Sequence, residues 1–120
     1  MEPLDIDGTD DTPKIILDKK KGIFEISGRS LPEDSVEFYR PITEWISNYA
    51  KEPNATTEFV FKLEYSNTSS SKLIQDVMIG LEKIKGVKII WCFQKDDEDM
   101  EEAGREFAGR IEIPFEFKSI

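Results

Sequence analysis

Apolar and polar residues alternate most regularly in the segment TEFVFKLEY, residues 57–65. A period of two places successive side chains on opposite faces of an extended chain, so the segment predicts a strand. The run VKIIWCF, residues 87–93, is apolar at nearly every position, which is typical of a strand in the middle of a sheet covered on both faces. Two shorter β-type runs, at 14–18 and 22–28, flank a lysine-rich turn and predict a hairpin.

Three other segments carry apolar residues every three or four positions, the spacing of one helical face. The first begins near Ser30, whose distance from Glu33 matches a capping box. The second covers residues 73–84, and the third covers 96–110. The closing run IPFEFKSI, residues 113–120, is suited to a short final strand.

These elements follow the order β-β-α-β-α-β-α, with a further strand at the end. Such an order indicates an α/β protein in which three main helices pack on a mixed sheet of four to five strands through right-handed crossovers. A chain of 120 residues is long enough for one domain with a substantial core. We predict a single domain over residues 13–120. Residues 1–12 contain five acids and no periodicity, and are predicted to form a flexible acidic tail.

The charge of the chain restricts its partners. There are 16 basic and 25 acidic residues, which gives a formal net charge of −9. Because this charge would repel a phosphate backbone, and no Lys/Arg stripe interleaves with aromatic residues, we expect no nucleic-acid binding. No secretory leader pattern and no apolar run of about 18 residues is present. We therefore expect a cytoplasmic protein that does not insert into membranes.

The chain has few of the residues that most enzymes use. Histidine is absent, which excludes Ser-His-Asp and Cys-His catalysis, histidine phosphotransfer and histidine metal sites. The single cysteine, Cys92, lies in an apolar run and is interpreted as a buried thiol. None of the motifs GxxxxGK[ST], GxGxxG and GxSxG occurs. We predict no catalytic residue, no cofactor and no enzymatic activity. Carboxylates that come together only when the chain folds are the one catalytic arrangement that the sequence leaves open.

The acidic run at 96–102 raises the question of a metal site. An EF-hand loop that starts at Asp97 would need Gly at its sixth position and Glu at its twelfth, but the chain has Glu102 and Ala108 there. We therefore predict no metal site. Acids in the first turn of a helix also interact favourably with its positive end. A solvated helix start and a contact with a partner both remain open for this run.

The polar stretch EYSNTSSSK, residues 64–72, joins the clearest strand to the second helix. Asn67, Thr68 or Ser69 can cap that helix, and the other hydroxyls can bind its first free N–H groups. One threonine and three serines in succession exceed what one cap requires. The loop also lies where the carboxyl end of a strand meets a helix N-terminus, the usual functional edge of such sheets. A cap and a functional site are both compatible with these residues.

A phosphoryl group in this stretch would act as a switch of binding. It would carry about −1.5 to −2 charges and meet free N–H donors, with Lys72 one turn on as a counter-charge. A partner surface at the same place would have to bury that charge, which costs several kcal/mol when the charge is unpaired. The domain would thus tolerate the phosphate, whereas an interface would resist it.

Three segments of the chain resemble the SiaC-type regulatory phosphoproteins, a family related in fold to the STAS domains of anti-sigma-factor antagonists. The segments are ISGRSLPEDSVEFYRPITEWI, FKLEYSNTSSSKLIQDVM and WCFQKDDEDMEEAGREF, in that order. The resemblance implies a STAS-like domain that works as a small switch protein and not as an enzyme.

The resemblance also implies partners and a site. In this family the threonine that corresponds to Thr68 is phosphorylated by a Ser/Thr protein kinase and dephosphorylated by a PPM-type phosphatase. The unphosphorylated form binds and activates a diguanylate cyclase, which promotes cyclic di-GMP synthesis and biofilm formation. Thr68 is therefore the predicted phosphorylation site. The supporting positions are Asn67, Ser69, Ser70, Ser71 and Lys72, and the candidate partner contacts are Tyr65, Asp97 and Asp99.

A second class of function is also consistent with the sequence. The chain could be a constitutive interaction module or an allosteric subunit in which the hydroxyl cluster only caps a helix. Its partner binding would then be indifferent to phosphorylation, and loss of the true cap would lower stability alone.

Overall fold

A computed structural model describes all residues from Met1 to Ile120. It contains six strands and three helices in the order β-β-β-α-β-α-β-α-β. The predicted α/β class, the three helices and the hairpin are confirmed, and the final strand is present. The elements are β1 Leu4–Ile6, β2 Lys14–Asp18, β3 Ile23–Ser30, α1 Ser35–Tyr49, β4 Thr57–Ser66, α2 Thr68–Leu81, β5 Val87–Phe93, α3 Glu98–Arg110 and β6 Phe115–Ser119.

The strands form one mixed sheet in the order β1-β2-β3-β4-β5-β6. The first three strands pair antiparallel, whereas β3, β4, β5 and β6 run parallel to one another. Each parallel step passes through one of the three helices. The carboxyl ends of the four parallel strands therefore meet at the same edge of the sheet, and β4 delivers the stretch at 64–72 to that edge.

The first twelve residues differ from the prediction, because Leu4–Ile6 form a strand and not a flexible tail. Leu4 pairs with Leu17 and Ile6 pairs with Ile15, so β1 adds a sixth strand to the four or five predicted. The indole Nε1 of Trp45 also donates a hydrogen bond to the carbonyl oxygen of Glu2, at 2.8 Å. A strand of three residues among acids carries no periodicity of its own, and it forms because the edge of β2 offers unpaired backbone groups.

The predicted capping box at the start of the first helix is wrong. Asp34 caps α1, since its Oδ1 accepts a hydrogen bond from the backbone N–H of Glu37 at 3.1 Å. Ser30 is instead the last residue of β3, where it is buried and its hydroxyl lies 2.6 Å from the hydroxyl of Tyr39. Burial raises the pKa of the Tyr39 hydroxyl and this hydrogen bond lowers it, and the net result is a pKa of about 12. Parallel pairing with Ser66 of β4 keeps Ser30 in the sheet.

The core lies between the helices and one face of the sheet. In β4 the inward side chains of Phe59, Phe61 and Leu63 are buried, and the alternate side chains of Glu58 and Lys62 are exposed. The predicted strand pattern is thus confirmed up to residue 63. In β5 the side chains on both faces of the sheet are buried. Ile90 and Cys92 are buried although they lie outside the core cluster that the helices cover.

Cys92 is buried and unpaired, as predicted. Burial raises the pKa of its thiol, so the reactive thiolate is disfavoured at neutral pH. None of the helices combines the length and the apolar character that crossing a membrane requires.

Candidate functional site

Asn67 holds the turn between β4 and α2. Its side-chain Oδ1 accepts a hydrogen bond from the backbone N–H of Ser70 at 2.9 Å, which identifies Asn67 as the N-cap of α2. Its own backbone N–H donates to the carbonyl oxygen of Ser30 at 3.1 Å and so ties the turn to the end of β3. Of the candidate caps Asn67, Thr68 and Ser69, the structure selects the first. Thr68 is then the first residue of the helix.

We expect the stability of the domain to depend on Asn67 and not on Thr68. Replacing Asn67 by Ala removes the acceptor for the Ser70 N–H and should lower the free energy of unfolding by about 0.5–2 kcal/mol. Thr68→Ala is the matched control at the adjacent position, and an exposed residue of this kind should change stability by less than about 0.5 kcal/mol. Urea denaturation of both variants measures the difference. A larger loss for Thr68→Ala would identify Thr68 as the structural residue.

The four consecutive hydroxyl residues occupy different environments. The Ser69 hydroxyl lies 2.8 Å from that of Ser35 on α1 and also donates to Asn67 Oδ1 at 3.2 Å. The Ser71 hydroxyl is 3.0 Å from that of Ser66. Ser70 is fully buried, and its Oγ has no hydrogen-bond partner. Thr68 alone combines an exposed side chain with a hydroxyl free of side-chain hydrogen bonds.

A groove between α2 and α3 begins at Thr68 and is lined by two cations and one carboxylate. Thr68 and Lys72 line it from α2, and Arg110 lines it from the last turn of α3 together with the carboxylate Glu106. The Arg110 guanidinium Nη1 donates to the Gln75 side-chain Oε1 at 3.2 Å. A phosphoryl group on Thr68 would therefore meet the free N–H groups of the first helical turn, with Lys72 one turn along α2. Arg110 lies further along the groove, beside Gln75. Sequence analysis indicated Lys72 but missed Arg110, because only the packing of α3 beside α2 brings it there.

The three predicted partner contacts line a second groove on the other side of Ser71. Tyr65, Asp97 and Asp99 all belong to it. Tyr65 is 46% exposed, so it lies outside the core face of β4, and the Arg29 guanidinium lies 5.5 Å from the centre of its ring. The structure thus brings these side chains together beside the loop, and their contact with a partner stays a prediction.

The acidic run begins α3. Asp97 is the N-cap of this helix, since its Oδ1 accepts from the Met100 N–H at 3.0 Å. Asp99 and Glu98 lie in the first turn, where the positive end of the helix favours them. Nowhere in the chain do three or more thiol or carboxylate side chains converge in a way that could hold a metal ion. The local arrangement gives the run a role as a helix start.

The surface around Thr68 can accept a charged group and a partner, but it has no arrangement of nucleophile and base. The Ser69 and Ser71 hydroxyls hydrogen-bond to other hydroxyls or to an amide oxygen and not to a base, and the two cations lie on separate helices. This chemistry suits a modified or docked surface better than a catalytic one.

Comparison with known proteins supports a regulatory role. Residues 6–120 match the family model described as SiaC family regulatory phosphoprotein. The chain is 30% identical, over 96% of its length and 94% of the relative, to an uncharacterized protein of Pseudomonas aeruginosa strain UCBPP-PA14. A regulatory role agrees with the prediction that the chain is not an enzyme.

Two crystal structures from Pseudomonas aeruginosa share the fold. One is apo-SiaC, with a TM-score of 0.89 and 29% identity over 99% of this chain and all of that chain. The other is diguanylate cyclase SiaD in complex with its activator SiaC, where the match has a TM-score of 0.91 and 29% identity over 98% of this chain and 99% of that chain. With the family model matching nearly the whole chain, the chain belongs to the SiaC family of regulatory phosphoproteins.

Proposed function

We propose that this chain, when unphosphorylated, binds and activates a diguanylate cyclase, and that phosphorylation of Thr68 releases it. A Ser/Thr protein kinase adds the phosphate and a PPM-type phosphatase removes it. The exchange takes place in the cytoplasm, where kinases have access to ATP. In this account the chain carries a signal to the cyclase and performs no chemistry on the nucleotide itself.

The cyclase is proposed as the partner because of a related complex. SiaC of Pseudomonas aeruginosa is the activator of the cyclase SiaD in the structure to which this chain is similar along almost its entire length. An activator must bury part of its surface on its target, and the edge that carries the β4–α2 turn offers two grooves for such a contact. The exposed ring of Tyr65 supplies the aromatic side chain that is enriched in interfaces.

The observation that carries the assignment of Thr68 is the environment of its hydroxyl. A kinase needs an exposed acceptor, and Thr68 is exposed and makes no side-chain hydrogen bond. Ser70 is inaccessible because it is fully buried. Ser69 and Ser71 would each have to break a hydrogen bond to another hydroxyl before reaction.

Treatment with the cognate kinase and MgATP tests the assignment. We expect one phosphate per chain, placed on Thr68 by peptide mass spectrometry, and no mass shift in Thr68→Ala. The same variant should still bind the cyclase, since it keeps the Asn67 cap and both grooves. Ser69→Ala is the matched control, because it removes a neighbouring hydroxyl and should still gain the phosphate. A phosphate found mainly on Ser69 or Ser71 would contradict the proposal.

A further inference from the structure

The sheet has a free edge at β6. This strand pairs only with β5, and no other strand of the sheet pairs with its outer edge. Ile120 donates its N–H to Phe93 of β5, and the carbonyl oxygen of Pro114 accepts from Ile89. Because the backbone groups of successive residues in a strand point to opposite sides, the N–H and C=O groups of Phe115, Phe117 and Ser119 point away from the sheet. They form a row of unpaired donors and acceptors.

We propose that β6 is a self-association surface, on which a second copy of the chain pairs antiparallel about a twofold axis at Phe117. The two sheets would then join into one continuous sheet. This surface lies apart from the Thr68 loop, and the proposal does not depend on how Thr68 is regulated.

The hydrogen-bond pattern of the edge fits this pairing. A twofold axis at Phe117 places Phe117 opposite its equivalent, and Phe115 opposite Ser119 of the second copy. These are the residues whose backbone groups point outward, so each pair can exchange both of its N–H···O=C bonds. A register shifted by one residue would place inward-pointing groups of one copy opposite outward-pointing groups of the other, and would lose these bonds.

The charges of β6 favour the same register. The twofold axis at Phe117 places Glu116 opposite Lys118 of the second copy, once on each side of the axis. Glu116 lies on the face of the sheet where it pairs with Lys88 at 2.5 Å, and Lys118 lies two residues on and therefore on the same face. Directly opposite charges in an antiparallel pair stabilise it, whereas like charges destabilise it.

The apolar side chains of β6 also meet across this axis. Phe115 and Phe117 lie on the other face, against the core, with their ring centres 5.9 Å apart. The Arg105 guanidinium stacks over the Phe117 ring at 3.9 Å. Pairing about Phe117 would bring the two Phe117 rings together and extend this aromatic cluster, which adds to the stability of the pair.

The opposite edge of the sheet lacks these properties. The strand β1 has only three residues, and its central residue is Asp5. A twofold pairing of β1 about its central residue would place Asp5 opposite its equivalent, so like charges would meet at the axis. A short, acidic edge of this kind resists pairing, and self-association is therefore expected at β6.

Charge reversal tests the proposal by sedimentation velocity over a wide range of concentration. The wild-type chain should show a concentration-dependent monomer–dimer equilibrium. Glu116→Lys and Lys118→Glu should each dimerise about tenfold more weakly, because like charges then meet on both sides of the axis. An equimolar mixture of the two variants should regain dimers, since every opposed pair is again of opposite sign. Circular dichroism confirms that each variant is folded.

Hydrogen exchange locates the contact independently. On concentration of the wild-type chain, the amides of Phe115, Phe117 and Ser119 should gain protection, whereas those of Glu116 and Lys118 point to β5 and should change little. A wild-type chain that stays monomeric at the highest concentration tested would overturn the proposal. The edge of β6 would then be available for pairing with a strand of another protein. Dimerisation of both variants as strong as wild type, or a mixture that fails to associate, would also overturn it.

Discussion

Phosphorylation of Thr68 is expected to weaken binding to the cyclase by about a hundredfold, which corresponds to roughly 3 kcal/mol. The added group carries about −1.5 to −2 charges, and an interface that covers the β4–α2 turn would have to bury it. Within the free chain the same group is accommodated, because Lys72 lies one turn along α2 in the groove that begins at Thr68 and the helix N-terminus favours an anion. Isothermal titration calorimetry of the cyclase with each form measures the change.

A matched control separates this local effect from a general change of charge. The chain already has a net charge of −9, so any further negative charge could weaken association with an acidic partner. Lys20→Glu lowers the net charge by a similar amount in the exposed turn between β2 and β3, at the opposite end of the parallel strands from Thr68. We expect this variant to bind nearly as well as wild type. An equal loss in Lys20→Glu would assign the effect to net charge and remove the special role of Thr68.

Replacing Gly104 by Ala is expected to lower the free energy of unfolding by about 3 kcal/mol. Gly104 lies in the middle of α3, and a Cβ atom there would be 2.4 Å from Cδ1 and Nε1 of the Trp91 indole. Trp91 cannot easily yield, because it is buried and its Nε1 donates to the carbonyl oxygen of Met100 at 2.9 Å. The overlap outweighs the gain of up to about 1 kcal/mol that Ala brings to a helix interior.

Gly109→Ala is the control for this prediction. It lies on the same helix, and a Cβ atom there would meet nothing within 4 Å. We expect Gly109→Ala to leave stability unchanged or to raise it by up to about 1 kcal/mol, as measured by urea denaturation. Similar stability of the two variants would mean that α3 can move away from Trp91 at little cost. Because α3 also carries Arg110 and Asp97, such movement would change both grooves beside Thr68.

The elements that could be predicted from sequence are those whose burial is periodic along the chain. Phe59, Phe61 and Leu63 alternate with exposed residues, and Ile74, Val77, Met78 and Leu81 recur at the spacing of a helix, so each segment reports its own environment. The strand Leu4–Ile6 is too short for such a pattern and depends on the edge of β2. The helix start at Asp34 was missed because Ser30 and Asp34 are equally good caps, and only the pairing of Ser30 with Ser66 decides between them.

The position of the candidate site could be predicted from sequence, but the differences between its hydroxyl residues could not. The hydroxyl cluster, its place after a strand and the counter-charge at Lys72 are properties of neighbouring residues. The difference between Thr68 and Ser70 depends on which side of α2 faces the core, and Ser69 is distinguished by Ser35, which is distant along the chain. Arg110 lines the groove only because α3 packs beside α2. The four hydroxyl residues are therefore equivalent in the sequence, and tertiary contacts single out Thr68 as the candidate phosphorylation site.

The rate of cyclic di-GMP synthesis by the cyclase tests the central proposal most directly. It should be measured with the unphosphorylated chain, with the chain phosphorylated on Thr68, and with the phosphorylated chain after treatment with the PPM-type phosphatase. We predict stimulation by the first, little stimulation by the second at the same concentration, and recovery with the third. Equal stimulation by the phosphorylated chain, or none by the unphosphorylated chain, would contradict the account.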